Sequence, residues 1–194
     1  MKTKISTFLK ERPERFKPAE ANKLGLKRLQ KIDFSGNIHL LENKKTNTNM
    51  ILVKPGDLVI SGINVEKGAV AIYQGDEDIL ATIHYSSYEF DKNKIDIDYF
   101  KWFLKSDAFR KAVQSQVRGG IKTELKPKKF LPLEIDLSDL PIQKQILKKI
   151  NSMKNEISEL ESTFNKDKTL LSSLHSAILQ EAVQGKLVPQ NPED

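Results

Sequence analysis

PIQKQILKKINSMKNEISELESTFNKDKTLLSSLHSAILQEAVQG, residues 141–185, decides how the chain is organised. Within it Ile146, Ile150, Met153, Ile157, Leu160, Phe164, Leu171, Leu174 and Ile178 recur at alternating steps of three and four, interrupted only where Asp167 takes an apolar position. That repeat is a heptad seam. Pro141 suits a first helical turn, where its missing N–H has no partner, and Gly185 is a natural stop. One helix over this span would be about 65 Å long. Its apolar stripe is too narrow to bury within one domain, so the pattern predicts that these residues pair with a second helix.

Outward from the helix, the charge is uneven. The chain of 194 residues carries a net charge of +6. Residues from Pro141 onward hold seven Lys and seven acidic residues, whereas residues 1–140 hold 25 basic against 19 acidic. Charge and pairing therefore map to different regions. A basic globular part fits an anionic partner, nucleic acid foremost, and fits equally well a plain solubilising excess of Lys. The absence of cysteine removes disulfides and thiolate metal sites and suits a reducing cytoplasm. No apolar run is long enough to span a membrane, and MKTKISTFLKERPERFKP has no signal-peptide core. The expectation is a soluble, cytoplasmic protein without membrane contact.

Three regions follow: a domain at 1–140, a long helix at 141–185 and a short flexible tail at 186–194. Within the first, residues 1–31 carry ten basic and three acidic residues, with a short helix expected at Ser6 to Arg15 and irregular chain otherwise. Apolar runs at Ile38–Leu41, Met50–Val53, Asp57–Ile60 and Ala69–Tyr73 alternate with turn chemistry, best at Lys54-Pro55-Gly56-Asp57, where Pro and Gly fit a type II turn. Ile79–Phe90 adds one or two strands. A small, strongly bent sheet or partial barrel results. Asp98 is the expected N-cap of a helix through Leu104, and Ser106 or Asp107 that of another through Val117. Their aromatics, Trp102 included, read as core. Phe130 to Leu137 reads as a last strand, completing an α+β fold.

Catalytic chemistry finds little support. His39, His84 and His175 have no partners at metal-ligand spacing, and no phosphate loop, dinucleotide fingerprint or nucleophile elbow occurs. No metal site is expected; Asp76-Glu77-Asp78 fits a hairpin turn better than a cation site. Reading DNA needs short polar donors on stiff loops, with Lys and Arg for phosphates. Ser61, Asn64 and Lys67 supply such groups on one loop, and His84, Tyr85 and Ser86 on another. The basic loop after the second helix offers Arg118, Lys122, Thr123, Lys126, Lys128, Lys129 and the Gly119 amide. For each the plainer reading is a solvated loop residue, and for His84 a partly buried imidazole.

Lys54-Pro55-Gly56-Asp57-Leu58-Val59-Ile60-Ser61-Gly62-Ile63-Asn64, the run from Gly119 to Lys128 and the tail from Ala177 to Leu187 together resemble the specificity (S) subunit of Type I restriction-modification systems. The resemblance covers most of the chain. It implies a target recognition domain that reads one half of a bipartite double-stranded DNA sequence, followed by a long helix that packs antiparallel on another. It also implies a non-catalytic subunit that docks methyltransferase (M) and restriction (R) subunits. S-adenosylmethionine and ATP would then belong to those partners, and no cofactor to this chain. Full S subunits carry two recognition domains and two long helices; this chain has one of each and resembles a half subunit. An unpaired seam then implies a homodimer through an antiparallel coiled coil, favouring an inverted-repeat target. The alternative is a coiled-coil scaffold whose β domain binds protein or RNA.

Overall fold

A computed structural model describes residues 2–42, 45–117 and 125–187. The chain forms two compact units, Met1–Ile146 and Leu147–Asp194. In order, the elements are β1 (Lys2–Lys4), β2 (Leu9–Glu11), β3 (Arg15–Phe16), α1 (Pro18–Lys23), β4 (Arg28–Ile32), β5 (Ile38–Leu41), β6 (Met50–Val53), β7 (Leu58–Ser61), β8 (Val70–Ile72), β9 (Ile79–Thr82), β10 (Tyr85–Phe90), α2 (Ile97–Leu104), α3 (Asp107–Val117), α4 (Pro127–Phe130), β11 (Glu134–Asp136) and α5 (Leu140–Val183). The fold is α+β, as expected, but its strands fall into three open sheets ordered β1-β11, β2-β10-β7-β8 and β3-β6-β9-β4-β5.

The two larger sheets share a core. Val59, Ala69 and Ala71 from the four-stranded sheet pack with Leu29, Ile51, Val53, Ile79 and Ala81 from the five-stranded one. The next residues along β7, Leu58 and Ile60, face the other way. They join Ile5, Phe8, Tyr88, Phe100, Phe109, Val113 and Phe130 in a second core beneath the helices. A strand covered on both faces needs apolar residues at every step, which is why β7 and β6 read as unbroken runs, LVIS and MILV.

Five sequence expectations are corrected. Ser6–Arg15 is not a helix: it contains β2 and the start of β3, because Leu9 pairs with Phe90 on β10 and Arg15 with Ile51 on β6. The chain after it is not irregular, since it holds α1 and β4. Asp96, not Asp98, caps α2, its carboxylate accepting from the Asp98 and Tyr99 amides. The Phe130–Leu137 stretch begins in the single turn α4 and keeps only three residues, Glu134–Asp136, as strand. Trp102 lies at the surface, 37% exposed, while Phe100 and Phe109 are core.

The Pro55-Gly56 turn closes as read: the Asp57 amide donates to Lys54 O at 3.0 Å and Gly56 has φ 87°. It brings Asp57, 2% exposed, to the centre of a polar knot. The Asp57 carboxylate accepts from Arg12 Nε, from Arg12 Nη2 at 2.8 Å, from the Lys54 amide at 2.9 Å and from Ser87 Oγ at 2.8 Å. These bonds tie the end of β2, the start of β7 and the middle of β10. Removing one member of a buried ion pair strands the other, so Asp57→Ala should cost about 3 to 5 kcal/mol. Urea denaturation would show it as a lowered midpoint at unchanged slope; a loss below about 1 kcal/mol would mean the knot is incidental.

α5 runs unbroken for 44 residues. Gln143, fully buried, secures its first turn: Oε1 accepts from the Asp96 amide at 2.8 Å and Nε2 donates to Ser138 O at 2.6 Å. Gly185, at φ 67°, ends the helix. Among the seam residues Ile146 and Ile150 are half-buried, while Met153, Ile157, Leu160, Phe164, Leu171, Leu174 and Ile178 are exposed, Leu160 at 70% and Phe164 at 69%. Asp167 is exposed in the same row. No helix among the described residues is long and apolar enough to cross a membrane. From residue 188 on, the expected tail lies outside the described residues.

Candidate nucleic-acid interface

The polar loop after β7 is wound tight by its own backbone. Asn64 N donates to Ser61 O, and Asn64 O accepts from the Lys67 and Ala69 amides, which closes a 3-10 turn at Val65–Lys67. One end of this loop is bonded to two other segments. The Gly62 amide donates to His84 O at 3.0 Å, and Gly62 O accepts from the Leu125 amide at 2.9 Å. Ser61 and Tyr85 are direct partners in the β7–β10 ladder. Three segments distant in sequence thus meet at Gly62.

Beside them lies a cleft of about 310 Å³, lined by Glu11, Arg15, Ile51, Ile83, His84, Tyr85, Ser86, Leu125, Lys126 and Pro127. His84, Lys126 and Lys128 are exposed, Tyr85 is half-buried, and the Ser86 side chain is buried. Burial raises the pKa of the Tyr85 hydroxyl, so it remains a neutral donor at physiological pH. Arg15, which the sequence reading passed over, pairs with Glu11 at the cleft wall and donates to Arg12 O at 2.7 Å. Its only sequence signal is membership of the basic N-terminal stretch.

Lys67 sits elsewhere. It faces a larger hollow of about 720 Å³, between the Phe34–Asn37 turn and helices α2 and α3. Lys101, Lys105 and Arg110 line the same hollow. The i, i+4 spacing of Lys101 and Lys105 was the one available hint. Ser61 is 6% exposed and Asn64 half-buried. Arg118, Gly119, Lys122 and Thr123 lie outside the described residues. The structure thus gathers His84, Tyr85, Ser86 and Lys126 around one cleft, with Ser61 at its edge, and puts Lys67 on the other hollow. Among the described residues no group of three or more His, Cys, Asp or Glu side chains could hold a metal ion. Asp76–Asp78 lies in the connection between β8 and β9.

Asp33 holds the turn that walls the larger hollow. Its carboxylate accepts from the Ser35 amide at 3.0 Å, the Asn37 amide at 2.8 Å and Asn37 Nδ2 at 2.9 Å, and contacts His39 Nε2 at 3.2 Å. The Asn37 amide, then the Asn37 side chain and His39, hold the carboxyl well below the usual carboxylate range. Because the folded form titrates below the unfolded one, this support is complete above the ordinary carboxylate range and fades as pH falls toward the folded value.

No protein-family model matches the chain, and no curated protein matches its sequence. Solved structures do match. The HsdS subunit from Thermoanaerobacter tengcongensis aligns with 100% of the chain at a TM-score of 0.66 and 13% identity, using 50% of its own length. A structure described as the structural basis of complex assembly and conformational transition of the type I R-M system gives a TM-score of 0.61 at 12% identity, again over 100% of this chain and 50% of that one. The first of these is an HsdS subunit, and the second belongs to a structure of the type I R-M system. The chain has their fold and spans about half their length.

Asp33→Ala should speed amide hydrogen exchange at Ser35 and Asn37 at neutral pH while leaving β6 and β7 protected. Unchanged exchange at the turn would show that it is rigid without this carboxylate.

Proposed function

We propose that this chain is the non-catalytic DNA sequence-recognition subunit of a Type I restriction-modification complex, reading one half of a bipartite target. The observation that supports it best is the match of the entire chain to half of an HsdS subunit. The charge agrees, since the whole excess of +6 lies in residues 1–140 while residues 141–194 are neutral. In this reading the 61–67 loop, the cleft with His84, Tyr85 and Lys126, and Lys128 face DNA, along with Arg118, Lys122 and Thr123. Exposed Lys side chains bind phosphates, and His84, Tyr85 and Asn64 offer hydrogen bonds to base edges. Ser61 and Ser86, being buried, support the loop backbones.

The exposed seam supports a second element of the reading. Seven apolar side chains in one helical row, from Met153 to Ile178, remain in water unless another helix covers them. A second copy, packed antiparallel, would cover them symmetrically and place two readers about a two-fold axis. The methyltransferase and restriction subunits would dock on this assembly and bring S-adenosylmethionine and ATP, so that this chain itself needs no cofactor. The setting is the cytoplasm, where chromosomal and invading DNA are both within reach.

Binding to duplex DNA should depend on sequence and fall steeply with salt, because base contacts discriminate and phosphate contacts release counterions. Equal affinity for all duplexes, with and without a methyltransferase subunit, would favour a scaffold that binds protein or RNA. Lys126→Ala with Lys128→Ala should lower the slope of log affinity on log salt by about 2 while leaving the dimer intact. Ile157→Lys or Leu160→Glu should do the opposite, giving monomers in analytical ultracentrifugation with unchanged thermal stability of the basic unit. A strict monomer of the unaltered chain at micromolar concentration would overturn the homodimer.

A further inference from the structure

We propose that the hollow between the Phe34 turn and helices α2 and α3 is a further DNA-backbone contact, in which Lys67, Lys101, Lys105 and Arg110 hold phosphates and the Phe34 ring lies against the adjoining sugars. The proposal rests on the DNA-recognition reading and extends it from Lys67 to Phe34, Lys101, Lys105 and Arg110, which neither the sequence nor the comparisons assign.

The cations come from three elements, the 61–68 loop, α2 and α3, and converge on one hollow. A spread of four cations suits a polyanion better than a single small anion. Two of them have carboxylate neighbours, Lys101 with Asp98 at 2.7 Å and Arg110 with Asp107 at 3.6 Å. Those carboxylates are 70% and 81% exposed, so the pairs are surface pairs of low net worth and give way readily to phosphate.

Phe34 is the second observation. It is 62% exposed, with Lys67 Nζ 5.8 Å from its ring centroid. The turn that carries it is fixed in advance: Asp33 binds two of its amides, and the backbone of Phe34 lies against Gly68. A Cβ at Gly68 would meet Phe34 O at 2.6 Å, and Gly68 has φ 96°, so no side chain fits there. An apolar ring on a pinned turn needs no backbone ordering on binding, which favours contact with a sugar face. The 61–68 segment also connects this hollow with the cleft, since Gly62 bonds to His84 and Leu125 while Val65, Lys67 and Gly68 line the hollow.

Fluorescence anisotropy of the full chain on a mixed-sequence duplex, titrated across salt, tests this. Lys105→Ala and Arg110→Ala should each lower the salt slope by about 1, and Phe34→Ala should weaken binding about tenfold at constant slope. Lys92→Ala, the same charge change outside the hollow, should alter neither. If the unaltered chain binds and the hollow variants match it, or only one class of variant loses affinity, the hollow is not a backbone contact and the recognition reading survives. An equal slope loss in Lys92→Ala would reduce the effect to diffuse charge and likewise overturn the proposal. Failure of the unaltered chain to bind any duplex would remove the recognition reading, and this inference with it.

Discussion

The Asp57 carboxylate constrains the rest of the basic unit. It sits where the Pro55-Gly56 turn hands the chain to β7, and its four hydrogen bonds gather groups from the end of β2, from the turn itself and from β10. A buried carboxylate must be neutralised and fully bonded, so these groups have almost no freedom to move apart. Register follows from that. With Ser87 held against Asp57, the ladder between β7 and β10 runs from Leu58 opposite Tyr88 to Ser61 opposite Tyr85. The loops at the far end, after Ser61 and before Tyr85, are thereby set beside each other, and Gly62 bonds to His84 as a result.

β7 is also where the two large cores meet, Val59 on one side and Leu58 and Ile60 on the other. A strand so placed is a rigid base for loops that recognise a ligand, because loop backbones hold their shape only as well as the element that carries them. The cleft and the larger hollow both border the segment that leaves this strand. The polar and charged groups that line the two hollows are supplied from the periphery, by Arg15, Lys126, Lys101, Lys105 and Arg110.

Much of this was legible in the sequence. The runs at 50–53 and 57–60, the latter one residue early against β7 at Leu58–Ser61, the Pro-Gly turn and the heptad row of α5 each carry a local signal strong enough to read alone. The N-terminal stretch does not. β1, β2 and β3 are two or three residues long and pair with β11, β10 and β6, partners whose positions no local pattern reveals, so tertiary contact overrode the weak helical tendency of Ser6–Arg15. The cap of α2 is similar. Asp96 and Asp98 are equivalent by residue type, and the Asp96 amide is taken by Gln143, 47 residues away. For the interface, loops rich in Asn, His and Lys could be named, but Lys67 faces a different hollow from His84 because the loop is wound back on itself. The basic set of Lys101, Lys105 and Arg110 gave almost no sequence signal, since it exists only once two helices and a loop are side by side.

The nearly neutral helix and the basic unit answer to different variables. Association through an apolar row is governed by water, temperature and cosolvent, and salt at moderate concentration leaves it nearly unchanged. Contact with a polyanion is governed by ionic strength, which sets how far each Lys is felt. In the proposed reading, segregating the charge from the seam would let the chain release a charged ligand without parting from a helix that covers its own. Assembly and ligand exchange would then be separate equilibria within one polypeptide.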